Sequence, residues 1–205
     1  MKFPNNKYHS FEKFSSDYLD MLSEDIRNIN FNIFEKILIQ IENTIKKKKI
    51  LFVCGNGGSA AIANHFVCDY LKYIRTFTDI KPKIISLSTN IETITAISND
   101  FTYDDIFSYQ LESLAGKGDT LLAISSSGNS KNIIKVINSA NKIGLSTISF
   151  TGFGGGIAHK KSKFGVKFDS CNYGVVEDMH HTLMHLICQF VRQKYLKKNI
   201  KKTSF

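Results

Sequence analysis

A chain of 205 residues that is 42% hydrophobic is long enough for one domain with a full core. It has no apolar run of about 18 residues, which excludes a transmembrane helix, and Met1-Lys2-Phe3-Pro4-Asn5-Asn6 lacks the apolar centre of a signal peptide, so a cytoplasmic protein is expected. The net charge of +9 sits largely in Lys46-Lys47-Lys48-Lys49 and between Lys194 and Lys202; this is the pattern of solvated ends, and neither nucleic acid nor a membrane is expected as a partner.

Residues 8–29 and 31–47 carry apolar side chains at helical spacing: Phe11, Phe14, Tyr18, Met21 and Leu22, then Ile33, Phe34, Ile37, Leu38, Ile41 and Ile45. They form an N-terminal helical extension over 1–48. From 49 to 196 the chain alternates. Runs at 50–54, 83–87, 120–124, 145–150 and 164–168 read as strands, and the spacing predicts helices near 59–74, 91–98, 104–114, 130–143 and 175–196. This alternation is that of an α/β domain, a parallel sheet covered by helices on both faces. Residues 197–205 form a basic tail. Cys54, Cys68, Cys171 and Cys188 make no CxxC pair and read as reduced core residues, not as a disulfide frame.

Two loops follow strands and open helices. Gly55-Asn56-Gly57-Gly58-Ser59 follows the first strand, and Ser125-Ser126-Ser127-Gly128-Asn129-Ser130 follows the third. A strand, a tight turn and a helix N-terminus make an anion site, because unpaired N–H groups and the helix dipole point the same way. Serine hydroxyls add donors suited to phosphate oxygens. The first loop lacks the spacing of a dinucleotide fingerprint, having Ala60 where a third glycine would stand, and no Walker lysine follows it. A phosphorylated ligand held between the loops is expected, at the C-terminal ends of the strands.

Titratable groups cluster on two helices. His65 and Asp69 are four apart and share a face, as a metal pair, an acid–base pair or a simple surface pair would. The last helix carries Glu177, Asp178, His180, His181 and His185 among apolar residues. Thr151-Gly152-Phe153-Gly154-Gly155-Gly156 reads as a flexible loop or a further backbone wall of the pocket. Asp100 is placed to cap the following helix or to bind sugar hydroxyls.

Together these segments resemble the sugar isomerase (SIS) domain family, of the phosphoheptose isomerase type. The resemblance rests on the first loop with His65-Phe66 behind it, Ser98-Asn99-Asp100-Phe101, Asp105-Ile106-Phe107-Ser108, Gly118 to Ser125, Ser127-Gly128-Asn129-Ser130 and a terminal helix with His185. It implies a five-stranded parallel sheet flanked by helices, whose N-terminal helices pack in a homotetramer. It also implies isomerisation of sedoheptulose 7-phosphate to D-glycero-D-manno-heptose 7-phosphate, toward nucleotide-heptose and surface polysaccharide.

Carried over by position, Ser125, Ser126, Ser127 and Ser130 hold the phosphate, and Asn56, Gly57, Gly58, Ser59, Asn99, Asp100 and Glu177 line the sugar site. A divalent metal, expected to be zinc, falls to His65, Asp69, Glu177 and His185, with Asp69 and His185 as the acid–base pair. Asp69 stands where the family has Glu, and Glu177 where it has Gln; both changes leave another sugar phosphate open as substrate, and a non-catalytic module of the replication-initiator-associating type is the remaining alternative. Glu177 and His185 lie eight residues apart, about 12 Å along a straight helix. They meet one ion only if they come from different subunits or if the helix begins after Glu177; otherwise one is not a ligand, and His181 is the spare candidate. The first case places the active site at a subunit interface.

Overall fold

A computed structural model describes residues 3, 4 and 6–197. Helices α1 (Phe11–Arg27) and α2 (Phe31–Lys46) precede β1 (Ile50–Gly55). Then come α3 (Gly58–Cys68), a π-helical segment at Asp69–Ile74 and the single turn α4 (Arg75–Phe77). Strand β2 (Lys83–Ser86), α5 (Ile91–Asp100), a 3-10 turn at Tyr103–Asp105 and α6 (Ser108–Leu114) lead to β3 (Thr120–Ser125). The chain ends with α7 (Lys131–Ile143), β4 (Ser146–Thr151), α8 (Gly156–Lys161), β5 (Phe164–Lys167) and α9 (Tyr173–Lys194). The tail beyond Lys197 lies outside the described residues.

All five strands are parallel, in the order β2-β1-β3-β4-β5. Successive side chains along a strand face opposite sides of the sheet. Leu51, Val53, Leu122 and Ile124 accordingly enter one core with residues of α1, α2, α3 and α9, while Phe52, Cys54, Leu121 and Ala123 enter a second core with residues of α5, α6 and α7. The N-terminal helices thus share a core with α9: Met21, Ile37 and Ile41 are buried there. Tyr18 donates to Asp178 at 2.6 Å, and Lys194 pairs with Glu42 at 3.0 Å, tying α1 and α2 to α9. Asn172 caps α9 by accepting from the Val175 amide.

Three features depart from the sequence reading. The helix foreseen over 59–74 changes to π geometry at Asp69. Helix α8 was not foreseen, because Gly155 and Gly156, both at positive φ, read as loop. Cys54 and Cys188 are buried, but Cys68 and Cys171 are exposed, so only two of the four free cysteines belong to the core.

Candidate functional site

The connections from β1 and β3 diverge. Strand β1 continues into α3 on one face of the sheet, and β3 into α7 on the other. Gly55 lies opposite Ile124 in the parallel ladder, so the two loops emerge side by side. A crevice opens at such a switch point without any contribution from side chains.

A cavity of about 130 Å³ fills it, lined by Asn56, Ser59, Ser125, Ser126, Ser127, Ser130, Tyr173 and Glu177. The serine loop is held from behind by the glycine segment. Gly152 N–H donates to the Ser126 carbonyl at 2.8 Å, and Ala158 N–H donates to the Gly128 carbonyl at 2.8 Å. Gly128, at φ 63°, packs so closely that a Cβ there would strike the Gly155 carbonyl oxygen. Residues 152–156 are therefore a packed wall. Ser130 opens α7 without turning its hydroxyl back onto the helix, which leaves that hydroxyl available at the dipole's positive end.

Asn56 and Asn132 join the two loops. Each amide nitrogen donates to the other's oxygen at 2.9 Å, and Tyr103 Oη donates to the same Asn56 oxygen at 3.1 Å. Glu177 closes the far wall, and a Cβ at Gly58 would collide with its carboxylate. Burial, and then the neighbouring Asp178, raise the Glu177 carboxyl above its ordinary range.

A second cavity, about 310 Å³, lies farther along the packed α3 and α9 and is lined by His65, Asp69, Tyr73, His185, Cys188, Gln189 and Arg192. His181 flanks it: its Nε2 stands 2.9 Å from His65 Nδ1, and its ring lies 5.1 Å from that of His185, nearly parallel. The other nitrogen of His65, Nε2, faces Asp69 Oδ1 at 3.4 Å, and His185 Nε2 is 3.8 Å from Asp69 Oδ2. His65, His181 and His185 each bring one nitrogen within 4.8 Å of the others. The Asp69 carboxylate is almost fully buried, and its Oδ1 has no hydrogen-bond partner among the described residues. Burial lowers the basicity of His181, and the neighbouring His65 and His185 lower it further. Cys188 borders the cavity as a thiol, its pKa pushed up to about 12 by burial.

This donor set fits a borderline divalent metal, since imidazole and carboxylate are its ordinary ligands, and an orphaned buried carboxylate oxygen lies among the imidazoles. Glu177 does not join the cluster within one chain. It lies inside α9, which begins at Tyr173, so a late helix start is ruled out as a route to a shared ion.

His180 takes no part in either cavity. It is fully buried beside Phe150 and Phe168, and burial pushes its pKa down to about 4. Asn99 and Asp100 hydrogen-bond to each other at the exposed end of α5. Asp100 is the last residue of that helix and does not cap the next turn, which Thr102 precedes. Asn132, Tyr103 and Tyr173 were missed in the sequence; of these only Asn132, two residues into the helix after Ser130, had a positional signal.

The SIS domain family model matches residues 16–152. A probable phosphoheptose isomerase of Thermoplasma acidophilum is 40% identical over 179 residues, covering 87% of this chain and 97% of the relative. A phosphoheptose isomerase of Campylobacter concisus is 34% identical over 190 residues, covering 93% and 95%. The structure of a phosphoheptose isomerase from Neisseria gonorrhoeae superposes with a TM-score of 0.80 at 25% identity, covering 88% of this chain and 96% of that one.

Proposed function

Since the chain belongs to the SIS domain family, we propose that it is a sugar-phosphate isomerase acting on sedoheptulose 7-phosphate to give D-glycero-D-manno-heptose 7-phosphate, in the cytoplasm, for surface-polysaccharide heptose. The observation that carries the reading is the pairing of a serine-lined crevice at the β1/β3 switch point with a buried carboxylate among imidazoles on α3 and α9. Ser125, Ser126, Ser127 and Ser130 take the phosphate with the N-terminus of α7. Asn56, Gly57, Gly58, Ser59 and Glu177 line the sugar, with Asn99 and Asp100 at the rim.

In the ketose-to-aldose direction, Asp69 accepts a proton from C1. The C1–H electrons form the enediol double bond, and the C2 carbonyl oxygen takes a proton from water. His185 then gives a proton to C2 while O1 releases its own to the hydroxide left by that water and becomes the carbonyl oxygen, and Asp69 passes its proton to His185, which resets the pair. A divalent metal, zinc by its donor set, would polarise the two oxygens and offset the enediolate charge. His65 and His185 are among its proposed holders, with the Asp69 carboxylate beside them. Phosphate binding, remote from the reacting carbons, supplies the orientation.

The two cavities lie at different heights on α9: Glu177 and His185 are separated by about 12 Å of helix. An active site shared between copies in a homotetramer closes that gap. Apolar side chains left exposed on α9 and α1, Leu186, Phe190, Phe11 and Leu19, support such an assembly.

Purified protein incubated with sedoheptulose 7-phosphate in deuterated water, with zinc or with chelator, tests the reading. The expected result is aldose product carrying solvent deuterium at C2, lost with chelator. No product with any divalent metal overturns the heptose assignment.

A further inference from the structure

We infer that His181, and not Glu177, completes the metal site of this chain, so that the ion is held by His65, His181 and His185 of one protomer, while Glu177 belongs to the sugar pocket. The inference rests on the metal-assisted reading above, but not on which sugar is the substrate.

Three observations carry it. The first is direction. His181 Nε2 points at His65 Nδ1 across 2.9 Å, and both rings lie about 5 Å from that of His185. Three imidazoles that converge in this way, two of them one turn apart on α9 and one on α3, form a three-histidine set that leaves a fourth position open for a substrate oxygen. The second is the division of His65. Its Nδ1 faces the cluster while its Nε2 faces Asp69. A carboxylate behind the outer nitrogen of a ligating imidazole fixes the ring and raises its basicity. Oδ1 of Asp69, 3.4 Å from His65 Nε2 and in a side chain 6% exposed, is placed for that role.

The third observation concerns Glu177. Its carboxylate lies against Gly58 and the serine-lined cavity, one turn of α9 away from His181. To reach the histidines of its own chain it would have to leave the wall that it forms.

The test is metal binding, read without turnover. Zinc affinity is measured by competition with a chromophoric chelator in the wild type, His181→Ala and Glu177→Gln, with circular dichroism to verify the fold. His181→Ala is expected to weaken zinc by more than the roughly 10–100-fold that follows loss of a supporting contact, and Glu177→Gln to remain within about threefold of wild type. His181→Cys, loaded with cobalt, is expected to gain a thiolate-to-metal charge-transfer band, which forms only if that side chain touches the ion. Wild-type affinity in His181→Ala, a loss in Glu177→Gln of the same size, or a cobalt-loaded His181→Cys without the band overturns the inference. A wild-type protein that binds no zinc overturns this inference and the metal-assisted reading together, whereas zinc binding without isomerase activity overturns the functional reading alone.

Discussion

The serine-lined and histidine-lined cavities are built by different means. The first is made mostly of contiguous chain: two loops, each following its strand, whose neighbourhood is set by the β1/β3 ladder, closed by Tyr173 and Glu177 of α9. The second is made of side chains 116 residues apart, His65 and His181, which meet only because α3 packs on α9. The cradle rests mainly on the sheet; the imidazole cluster rests on the packing of α3 against α9. If the proposed roles hold, one cavity orients and the other reacts, and substitutions should separate them.

The largest separation is kinetic. Asp69→Asn should lower kcat about 10³-fold with KM nearly unchanged, while Ser127→Ala should raise KM about tenfold and spare kcat. Steady-state rates on the sugar phosphate read both, and equal effects on both parameters in both variants would erase the distinction.

Next comes the wall behind the serine loop. Gly128→Ala should destabilise the fold by about 3 kcal/mol, through positive φ and collision with the Gly155 carbonyl. Gly154→Ala, also at positive φ but in open space, should lose only about 1 kcal/mol. Denaturant unfolding of the pair tests whether the wall is rigid.

The third prediction sets His180 against its neighbour His181. The folded pKa of His180 is lowered from 6.5 to about 4 by burial. Between those values the unfolded chain takes up a proton that the folded chain refuses. This contribution to stability is therefore full above about pH 6.5 and is lost as pH falls toward 4, by roughly 2–3 kcal/mol. Urea unfolding across this range should show the slope, and His180→Leu should flatten it; an unchanged slope would place the lost stability elsewhere.

The smallest effect belongs to the link between the loops. Asn132→Ala leaves Asn56 with a single partner, Tyr103, and should cost about 1–2 kcal/mol. A substrate KM that does not move would show that Asn56 stays in place without it.

Most of the fold was legible because its signals are local. Each predicted strand falls within a residue or two of an observed one, and the connections from β1 to α3 and from β3 to α7 fall within the glycine and serine patterns, although Gly58 and Ser59 already belong to α3. Helix α8 was hidden because its first residue, Gly156, has positive φ and carries no ordinary start signal. Within the site, the four-residue spacing of His65 and Asp69 was readable, and their contact is present at 3.4 Å. The meeting of His181 with His65 was not, since spacing along one helix says nothing of what a second helix presents to it. The pairing of Asn132 was hidden for the same reason: its partner belongs to the loop after another strand.

The reciprocal amide pair between Asn56 and Asn132 has one property that the histidine cavity lacks: it is electrically silent. Neither side chain titrates, so its two hydrogen bonds do not change as protons or divalent ions come and go nearby. Salt has little to screen between neutral groups. The spacing between the serine loop and the loop after β1 is thus set by a clasp that is blind to charge changes nearby. A reaction cycle that alters the ionic state at one end of α3 leaves the ruler at the other end unmoved.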